Sequence, residues 1–252
     1  GVDSEGLDVA ALERAGPCRL AYVTPSHQYP TGVTLSLPRR LALLDWAERN
    51  DAWIIEDDYD GEYRYSGTPL APLAALDRGQ RVLYVGTFSK IVFPALRLGY
   101  LVVPPRLAQA FARRRGVDMR HSDIGTQAVM AEFIAAGHFQ RHIRRMRNAA
   151  RARRDALLVG WPDEVPGCSA LPEVHAGLHL SVRCESLARE RELIAAAATV
   201  GVEINPLSVQ WLPEGRTPAD QRAGLVMGFA AVPERAIGEA LQALRQAWKL
   251  PG

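Results

Sequence analysis

The chain has 252 residues, of which 48% are hydrophobic and 23% charged. These proportions indicate a globular protein with a full core and exclude collagen-like and low-complexity chains. Thirty basic and twenty-eight acidic side chains leave a net charge of +2, too small to indicate a nucleic-acid or membrane partner. Cys18, Cys168 and Cys184 lie far apart in the sequence and predict neither a disulfide framework nor a metal knuckle. We predict a cytoplasmic protein, since no apolar run reaches the roughly 20 residues of a membrane span.

The first 105 residues alternate short apolar runs with helical patterns, which is typical of βαβ units and a mostly parallel sheet. A helix is predicted to follow Ser36, a good N-cap residue, with Pro38 in its first turn. This helix separates the first two predicted strands, which should therefore be parallel and joined by a right-handed crossover. Residues 61–80 are rich in glycine and proline and predict a loop with at most one helical turn. The predicted strands are residues 20–23, 52–56, 82–85 and 98–103.

Beyond residue 105 the pattern becomes helical, and beyond residue 160 strands and helices are mixed. The predicted helices are residues 107–115, 126–136, 139–159, 189–198 and 234–248, and the predicted strands are 178–182, 202–205 and 225–229. We predict an α/β fold with a mostly parallel sheet and flanking helices, plus a smaller C-terminal α+β domain. The predicted divisions are 1–125 for part of the large domain, 126–160 for long connecting helices and 161–252 for the small domain.

The long predicted helix at 139–159 is strongly basic, with seven arginines between residues 141 and 154. Because its charges surround most of the helix, a solvated face is favoured over a surface for DNA or an acidic partner. His138 and His142 have a spacing that can bind a metal ion, but the sequence shows no third ligand. No metal site is predicted.

Lysine is rare in this chain: Lys90 and Lys249 are two of its thirty basic residues, and the others are arginine. A lysine amine can lose its proton and attack a carbonyl carbon, which a guanidinium cannot do. Lys249 lies at a predicted helix end, where interaction with the exposed carbonyls is a sufficient explanation. Lys90 is therefore the candidate nucleophile.

An acidic cluster follows the second predicted strand, in residues 53–60 (WIIEDDYD). Ligands of open α/β sheets sit at the carboxyl ends of strands. Because side chains alternate along an extended chain, Asp57 and Tyr59 should lie on one side, with Glu56 and Asp58 on the other. A carboxylate beside a phenol suits a ligand with a ring cation and an oxyanion. The alternative is that these acids only solvate the strand end.

The third predicted strand ends in residues 85–90 (VGTFSK), and Arg97 follows seven residues after the lysine. Thr87 and Ser89 can donate hydroxyl hydrogen bonds, a turn exposes backbone amides, and Arg97 can bind an anion through two nitrogens. These groups predict a phosphate site beside the amine of Lys90.

Four segments carry a family resemblance: residues 24–32 (TPSHQYPTG), 56–60 (EDDYD), 86–90 (GTFSK) and 96–100 (LRLGY). Their residues and order resemble the core of the fold-type I pyridoxal-phosphate enzymes, the aspartate aminotransferase superfamily. More narrowly, they are similar to the aminotransferase-like domain of MocR-type transcriptional regulators, a branch of the GntR family. The resemblance extends over essentially the whole chain.

The resemblance implies a role for each matching residue on the ring of pyridoxal 5'-phosphate. Lys90 would form the internal aldimine. Asp57 would pair with the protonated pyridine nitrogen, and Tyr59 would bind the phenolic oxygen of the ring. The family's asparagine at that oxygen has no counterpart in residues 24–32, where His27 and Gln28 are the suggested neighbours.

The resemblance also implies ligands for the phosphate and for a substrate. Thr87 and Arg97, helped by Ser89, would hold the phosphate group. Arg222 is the candidate for binding a substrate carboxylate, because the position closest to the family's arginine is occupied by Gly224.

The resemblance implies that the N-terminal part of the large domain and a winged helix-turn-helix are missing from this sequence, which would be either a C-terminal fragment or a natural truncation. One expected function is a cofactor-binding sensor that forms an aldimine with a small amino compound and signals to a DNA-binding module outside this chain. A second is a working aminotransferase acting on an amino acid, and a third is a remnant that binds no cofactor. A homodimer is implied by resemblance alone.

Overall fold

The computed structural model describes residues 1–68, 70–119, 123–211 and 220–250. The chain forms two compact units, and each is described by itself. The first comprises Gly1–Tyr29, Val33–Glu62 and Gly67–Met146, and the second comprises Pro30–Gly32, Tyr63–Ser66 and Arg147–Gly252. The three-part division at residues 125 and 160 stays a prediction.

A four-stranded sheet forms the centre of the first unit. Its elements are β1 (Val2–Asp3), β2 (Gly6–Leu7), α1 (Val9–Arg14), β3 (Leu20–Val23), α2 (Leu37–Arg49), β4 (Trp53–Asp58), α3 (Leu73–Leu76), β5 (Val82–Thr87), β6 (Gly99–Val102), α4 (Pro105–Met119), α5 (Ile124–Ala135) and the first part of α6 (His138–Gly160). The sheet order is β3-β4-β5-β6; the first three strands are parallel, and β6 runs antiparallel to β5. This confirms the predicted α/β fold with a mostly parallel sheet.

Helix α2 begins where the sequence predicts it. The Ser36 side chain accepts a hydrogen bond from the Arg39 amide at 3.4 Å, with Pro38 in the first turn. Leu43 and Trp46 lie on the buried face of the helix and belong to the same core as Ile54 of β4. Burial of these apolar side chains holds the crossover helix onto the sheet.

A buried arginine links the loop between β3 and α2 to the rest of the first unit. Arg40 is 1% exposed and donates to the carbonyls of Leu35 (2.9 Å), Pro25 (2.8 Å) and Ala71 (3.1 Å). Its Nη1 lies 3.9 Å from Oε1 of Glu56, which is fully buried at the end of β4.

Glu56 in turn accepts the amides of Leu73 and Ala74, at 2.8 and 2.9 Å, and thereby caps α3. Burial raises the pKa of Glu56, while the two amides and Arg40 act in the opposite direction.

The second unit contains a small antiparallel sheet. Its elements are the remainder of α6, β7 (His179–Arg183), α7 (Leu187–Thr199), β8 (Asn205–Pro206), β9 (Gly224–Gly228) and α8 (Glu234–Ala247), with the sheet order β7-β9-β8. Buried Glu190 of α7 accepts the amides of Gly224 (2.7 Å) and Ser208 (3.1 Å) and so fixes the helix to the sheet.

One local prediction is wrong, and one local feature was not predicted. The strand predicted at 202–205 is limited to Asn205–Pro206, because the end of α7 holds the Val202 amide on the Ala197 carbonyl at 3.1 Å. The short β1–β2 hairpin and α1 were not predicted, since two-residue strands are too short to show a period.

The prediction that the arginines of α6 form a solvated face holds only in part. Three of them bind backbone carbonyls of the second unit. The pairs are Arg151 Nη2 to Tyr65 O (3.2 Å), Arg154 Nη1 to Val174 O (2.9 Å) and Arg153 Nη1 to Ala230 O. None of the described helices, α6 included, combines the length and apolar character of a membrane span.

We expect Arg40→Met to lower the free energy of unfolding by about 3–5 kcal/mol, because it leaves the Glu56 carboxylate buried without its cation. The measurement is urea denaturation followed by circular dichroism. Arg49→Met is the control: Arg49 is 54% exposed and pairs with Glu13 and Asp45, so the expected loss is at most about 1 kcal/mol.

The pH dependence of this loss has a definite sign. Because burial raises the folded pKa of Glu56, the folded state binds a proton there more readily than the unfolded state does. The stability that comes from this shift is present at acidic pH and is lost as the pH rises through the folded pKa. The loss caused by Arg40→Met should therefore be smaller at acidic pH than at pH 7. Equal losses for the two arginine variants at pH 7 would contradict the structural role of Arg40.

Candidate functional site

Three loops meet at one edge of the sheet because β3, β4 and β5 are parallel. Val23 pairs with Glu56, and Asp58 pairs with Gly86, so the three strands end side by side. The carboxyl edge of a parallel sheet is the usual ligand position in open α/β folds. The predicted residues of the first unit follow these strand ends.

Asp57 lies near the end of β4 and is held by a tyrosine that the sequence analysis missed. Tyr22 of β3 donates its hydroxyl hydrogen bond to Oδ2 of Asp57. Tyr22 pairs with Ile55, two residues before Asp57, so the two side chains share one face of the sheet. Burial, assisted by the Asp57 carboxylate, raises the pKa of Tyr22 to about 12, which keeps the phenol protonated near neutral pH.

Tyr59 and His27 also come together, as part of a buried group with Asp60. The Tyr59 hydroxyl donates to the backbone carbonyl of His27 at 3.0 Å and lies 3.2 Å from its Nδ1. The same Nδ1 lies 2.9 Å from Oδ2 of Asp60. Burial raises the pKa of Tyr59 and that of Asp60. The phenol is therefore held in a fixed position as a neutral group.

Gln28 has a local role in the same loop. Its backbone amide donates to the Val33 carbonyl at 2.9 Å, and its side-chain Nε2 donates to the Tyr29 carbonyl at 2.5 Å. Thr24 accepts the Tyr29 amide at 3.0 Å. These bonds shape the loop between β3 and α2.

Aromatic side chains that the sequence analysis also missed pack beside Asp58. Tyr84 donates to Oδ2 of Asp58 at 2.7 Å, and its ring lies 6.1 Å from that of Tyr100. Tyr100 covers the backbone of Gly86 so closely that a Cβ on residue 86 would overlap the ring. Phe88 lies 5.5 Å from Tyr100, centre to centre. Glycine at position 86 is thus required by packing.

Lys90 stands on a turn that is fixed from several directions. Oγ1 of Thr87 accepts the Ser89 amide at 3.1 Å, which starts the turn. The next residue, Ile91, is buried, and its carbonyl lies 2.6 Å from Nε2 of His142 in α6. Since a carbonyl only accepts, Nε2 of His142 carries a proton. Lys90 itself is an exposed residue on this turn.

Arg97 lies close to this turn in the sheet. It follows a 3₁₀ turn (Pro94–Leu96) and adopts a left-handed backbone with φ of 48°. Gly99, two residues later, pairs with Thr87 across the β5–β6 ladder. Arg97 is an exposed residue and lies just before the strand that pairs with Thr87.

Arg222 belongs to the second unit and is half-buried in a 3₁₀ turn just before β9. Gly224 begins that strand, and a Cβ there would come within 2.5 Å of the Val182 carbonyl oxygen. No side chain fits at position 224 without displacement of the backbone of β7.

The residue types gathered in the first unit suit a ligand with a cationic ring nitrogen, an oxyanion, an aldehyde and a phosphate.

Comparison with known proteins defines the class. Residues 3–205 match the family model "Aminotransferase class I and II", and the chain belongs to this family. The chain is also similar to Pyrococcus horikoshii kynurenine aminotransferase, solved in complex with PMP, with 28% identity and a TM-score of 0.85. The similarity covers 98% of this chain and 62% of that chain, and it confirms the predicted fold class.

Curated relatives of the chain include transcriptional regulators, which confirms the predicted resemblance. The chain is 37% identical over 247 residues to the probable rhizopine catabolism regulatory protein MocR of Rhizobium meliloti, covering 98% of this chain and 49% of that protein. It is 38% identical over 246 residues to the uncharacterized HTH-type transcriptional regulator YhdI of Bacillus subtilis, covering 98% and 51%. The chain spans about half the length of these relatives.

We expect Gly86→Ala to destabilise the protein by about 1–3 kcal/mol, because the new methyl group overlaps the Tyr100 ring. In a Tyr100→Ala background the same substitution should cost almost nothing, which a double-mutant cycle by urea denaturation measures. Gly116→Ala in α4 is the control: open space surrounds that position, so alanine should be neutral or stabilising. Equal costs of Gly86→Ala with and without Tyr100 would contradict this packing.

Proposed function

We propose that the chain is the pyridoxal-phosphate-binding, effector-sensing domain of a MocR/GntR-type transcriptional regulator. The observation that carries the proposal is the placement of Asp57, Tyr59, Thr87 and Lys90 at the ends of two adjacent parallel strands. The similarity to regulators such as MocR supports the regulatory part. DNA binding would belong to a helix-turn-helix module outside these 252 residues, and the protein would act in the cytoplasm.

The residues present fit pyridoxal 5'-phosphate. Asp57 would supply a carboxylate for the ring nitrogen. The neutral phenol of Tyr59 would turn its one proton from the His27 carbonyl to the ring oxygen. When bound, pyridoxal phosphate supplies an electrophilic aldehyde carbon and an electron-withdrawing ring.

Lys90 provides the amine for that aldehyde. It is exposed on a turn whose backbone is fixed by Thr87 and by the His142–Ile91 contact. Binding of the ligand to the amine would therefore not require the turn to become ordered first. A guanidinium at this position could not form the covalent bond. The retention of lysine in an arginine-rich chain supports this role.

The phosphate would be held by Thr87, Ser89 and Arg97. The turn after β5 carries the Thr87 and Ser89 hydroxyls, and Arg97 lies in the segment that pairs with it. A planar guanidinium binds a phosphate through two parallel hydrogen bonds. His27 acts through Tyr59, whose hydroxyl it positions, and Gln28 shapes the same loop. Arg222 stays the candidate for a carboxylate of the effector or substrate.

The effector would be a small amino compound, since an amine can exchange with Lys90 on the cofactor's aldehyde carbon. Differential affinity for two conformations would then convert binding into a signal. A homodimer is part of this proposal. A second candidate, an aminotransferase acting on an amino acid, is supported by the similarity to the Pyrococcus horikoshii enzyme.

Lys90→Ala should abolish covalent attachment of pyridoxal phosphate. The measurement is the visible absorbance band of the lysine-bound cofactor, followed by borohydride reduction and identification of the labelled peptide. Lys249→Ala is a matched control, because it removes the only other lysine and should retain the band. A band that survives in Lys90→Ala, or a label found on Lys249, would refute the assignment.

An experiment on the intact protein, as the cell makes it, distinguishes effector sensing from catalytic turnover. With the cofactor bound, the effector amine should shift the absorbance band and change the affinity for operator DNA, while keto acid stays at or below one equivalent per site. Keto acid that accumulates over many turnovers would establish the aminotransferase instead. If amines change neither the spectrum nor DNA binding, the sensor proposal fails.

A further inference from the structure

Two of the three cysteines face each other in the second unit. Residues 168 and 184 form an isolated antiparallel bridge, and their Sγ atoms are 3.5 Å apart. The Ser169 amide donates to the Arg183 carbonyl, and the Glu185 amide donates to the Gly167 carbonyl, both at 2.9 Å. These two hydrogen bonds lie on either side of the cysteines. Cys168 and Cys184 are therefore a non-hydrogen-bonded pair of an antiparallel ladder.

This backbone position is suited to a disulfide. Opposed residues of a non-hydrogen-bonded pair have Cα atoms about 4.5 Å apart, within the usual range for bridged cysteines. The sulfurs already point at each other, so closing the remaining gap requires side-chain rotation rather than movement of a strand. Both cysteines are thiols in this structure.

The two thiols differ in access and in acidity. Cys168 is half-buried, whereas Cys184 is 6% exposed. The hydrogen bond from Cys184 lowers the pKa of the Cys168 thiol, and Arg189 acts in the same direction, against burial and Glu185. The pairing with Cys168 and burial raise the pKa of Cys184. Arg189 is fixed by the Pro166 carbonyl at 2.8 Å.

We propose that Cys168 and Cys184 form a peroxide-sensitive dithiol that closes reversibly to an intramolecular disulfide, with Cys168 reacting first. The Cys168 thiolate attacks one oxygen of hydrogen peroxide, the O–O bond breaks, and a sulfenic acid and one water form. The Cys184 sulfur then attacks the Cys168 sulfur, and the S–O bond breaks to release a second water. In total, two thiols are oxidised to a disulfide and one peroxide is reduced to two waters.

The disulfide would tie the loop around Cys168 to the end of β7, which pairs with β9. The Cys184 amide donates to the Ala223 carbonyl at 3.0 Å, directly before β9. Arg183 donates to the Gln221 carbonyl at 2.9 Å. Oxidation would thus fix residues 167–169 onto the end of β7 and onto the turn that carries Arg222. A dithiol reductant would reverse the bond.

Peroxide treatment of the full chain tests this pairing. Trypsin cleaves after Arg183 and so separates the cysteines onto peptides 155–183 and 184–189. Oxidised protein should yield these two peptides joined, with the mass of two hydrogens lost and two of three titratable thiols gone. Dithiothreitol should restore all three thiols. Cys18→Ser, which keeps the pair, should behave in the same way as the wild type.

Two further variants test the order of the reaction. In Cys184→Ala, Cys168 should stop at the sulfenic acid and be labelled by dimedone, whereas in Cys168→Ser the thiol at position 184 should survive. Far-UV circular dichroism verifies that each variant is folded. The proposal is overturned if peroxide leaves all three thiols intact, if the bridge includes Cys18, or if wild-type Cys168 accumulates as a dimedone adduct without a bridge.

Discussion

The first unit is organised around one buried charge pair, Arg40 and Glu56. A charge in the interior is tolerated only when its hydrogen-bonding groups find partners. Arg40 meets that demand with three backbone carbonyls, and Glu56 meets it with two backbone amides. Because these partners lie in the loop after β3 and in the segment around α3, the pair fixes the loops to the strand from which the site is built.

The candidate site combines two side chains that are held in place with an exposed lysine. Asp57 and Tyr59 are each held by a neighbouring strand or loop, through Tyr22 and His27. Lys90 has an exposed side chain on a turn whose backbone is held. Such preorganisation reduces the ordering that would accompany binding of a ligand.

Local signals in the sequence were sufficient for much of the fold and for the proposed chemistry. Ser36 and Pro38 placed the start of α2, and the acidic and hydroxyl residues placed the strand ends. Contacts between distant residues gave no such signal. Tyr22 and Asp57 are 35 residues apart, and their pairing depends on strand register. The spacing of the cysteines predicts no disulfide framework, yet a local antiparallel bridge brings the sulfurs of Cys168 and Cys184 together.

The second unit limits how a carboxylate could be bound. At position 224 the Val182 carbonyl excludes a side chain, and the amide of Gly224 is bound by buried Glu190. An arginine introduced there would have to displace the backbone of β7. We infer that carboxylate recognition here falls to Arg222 or is dispensable. A sensor tolerates that loss better than an enzyme, because it needs selective binding of an amine but no alignment of a bond for proton transfer.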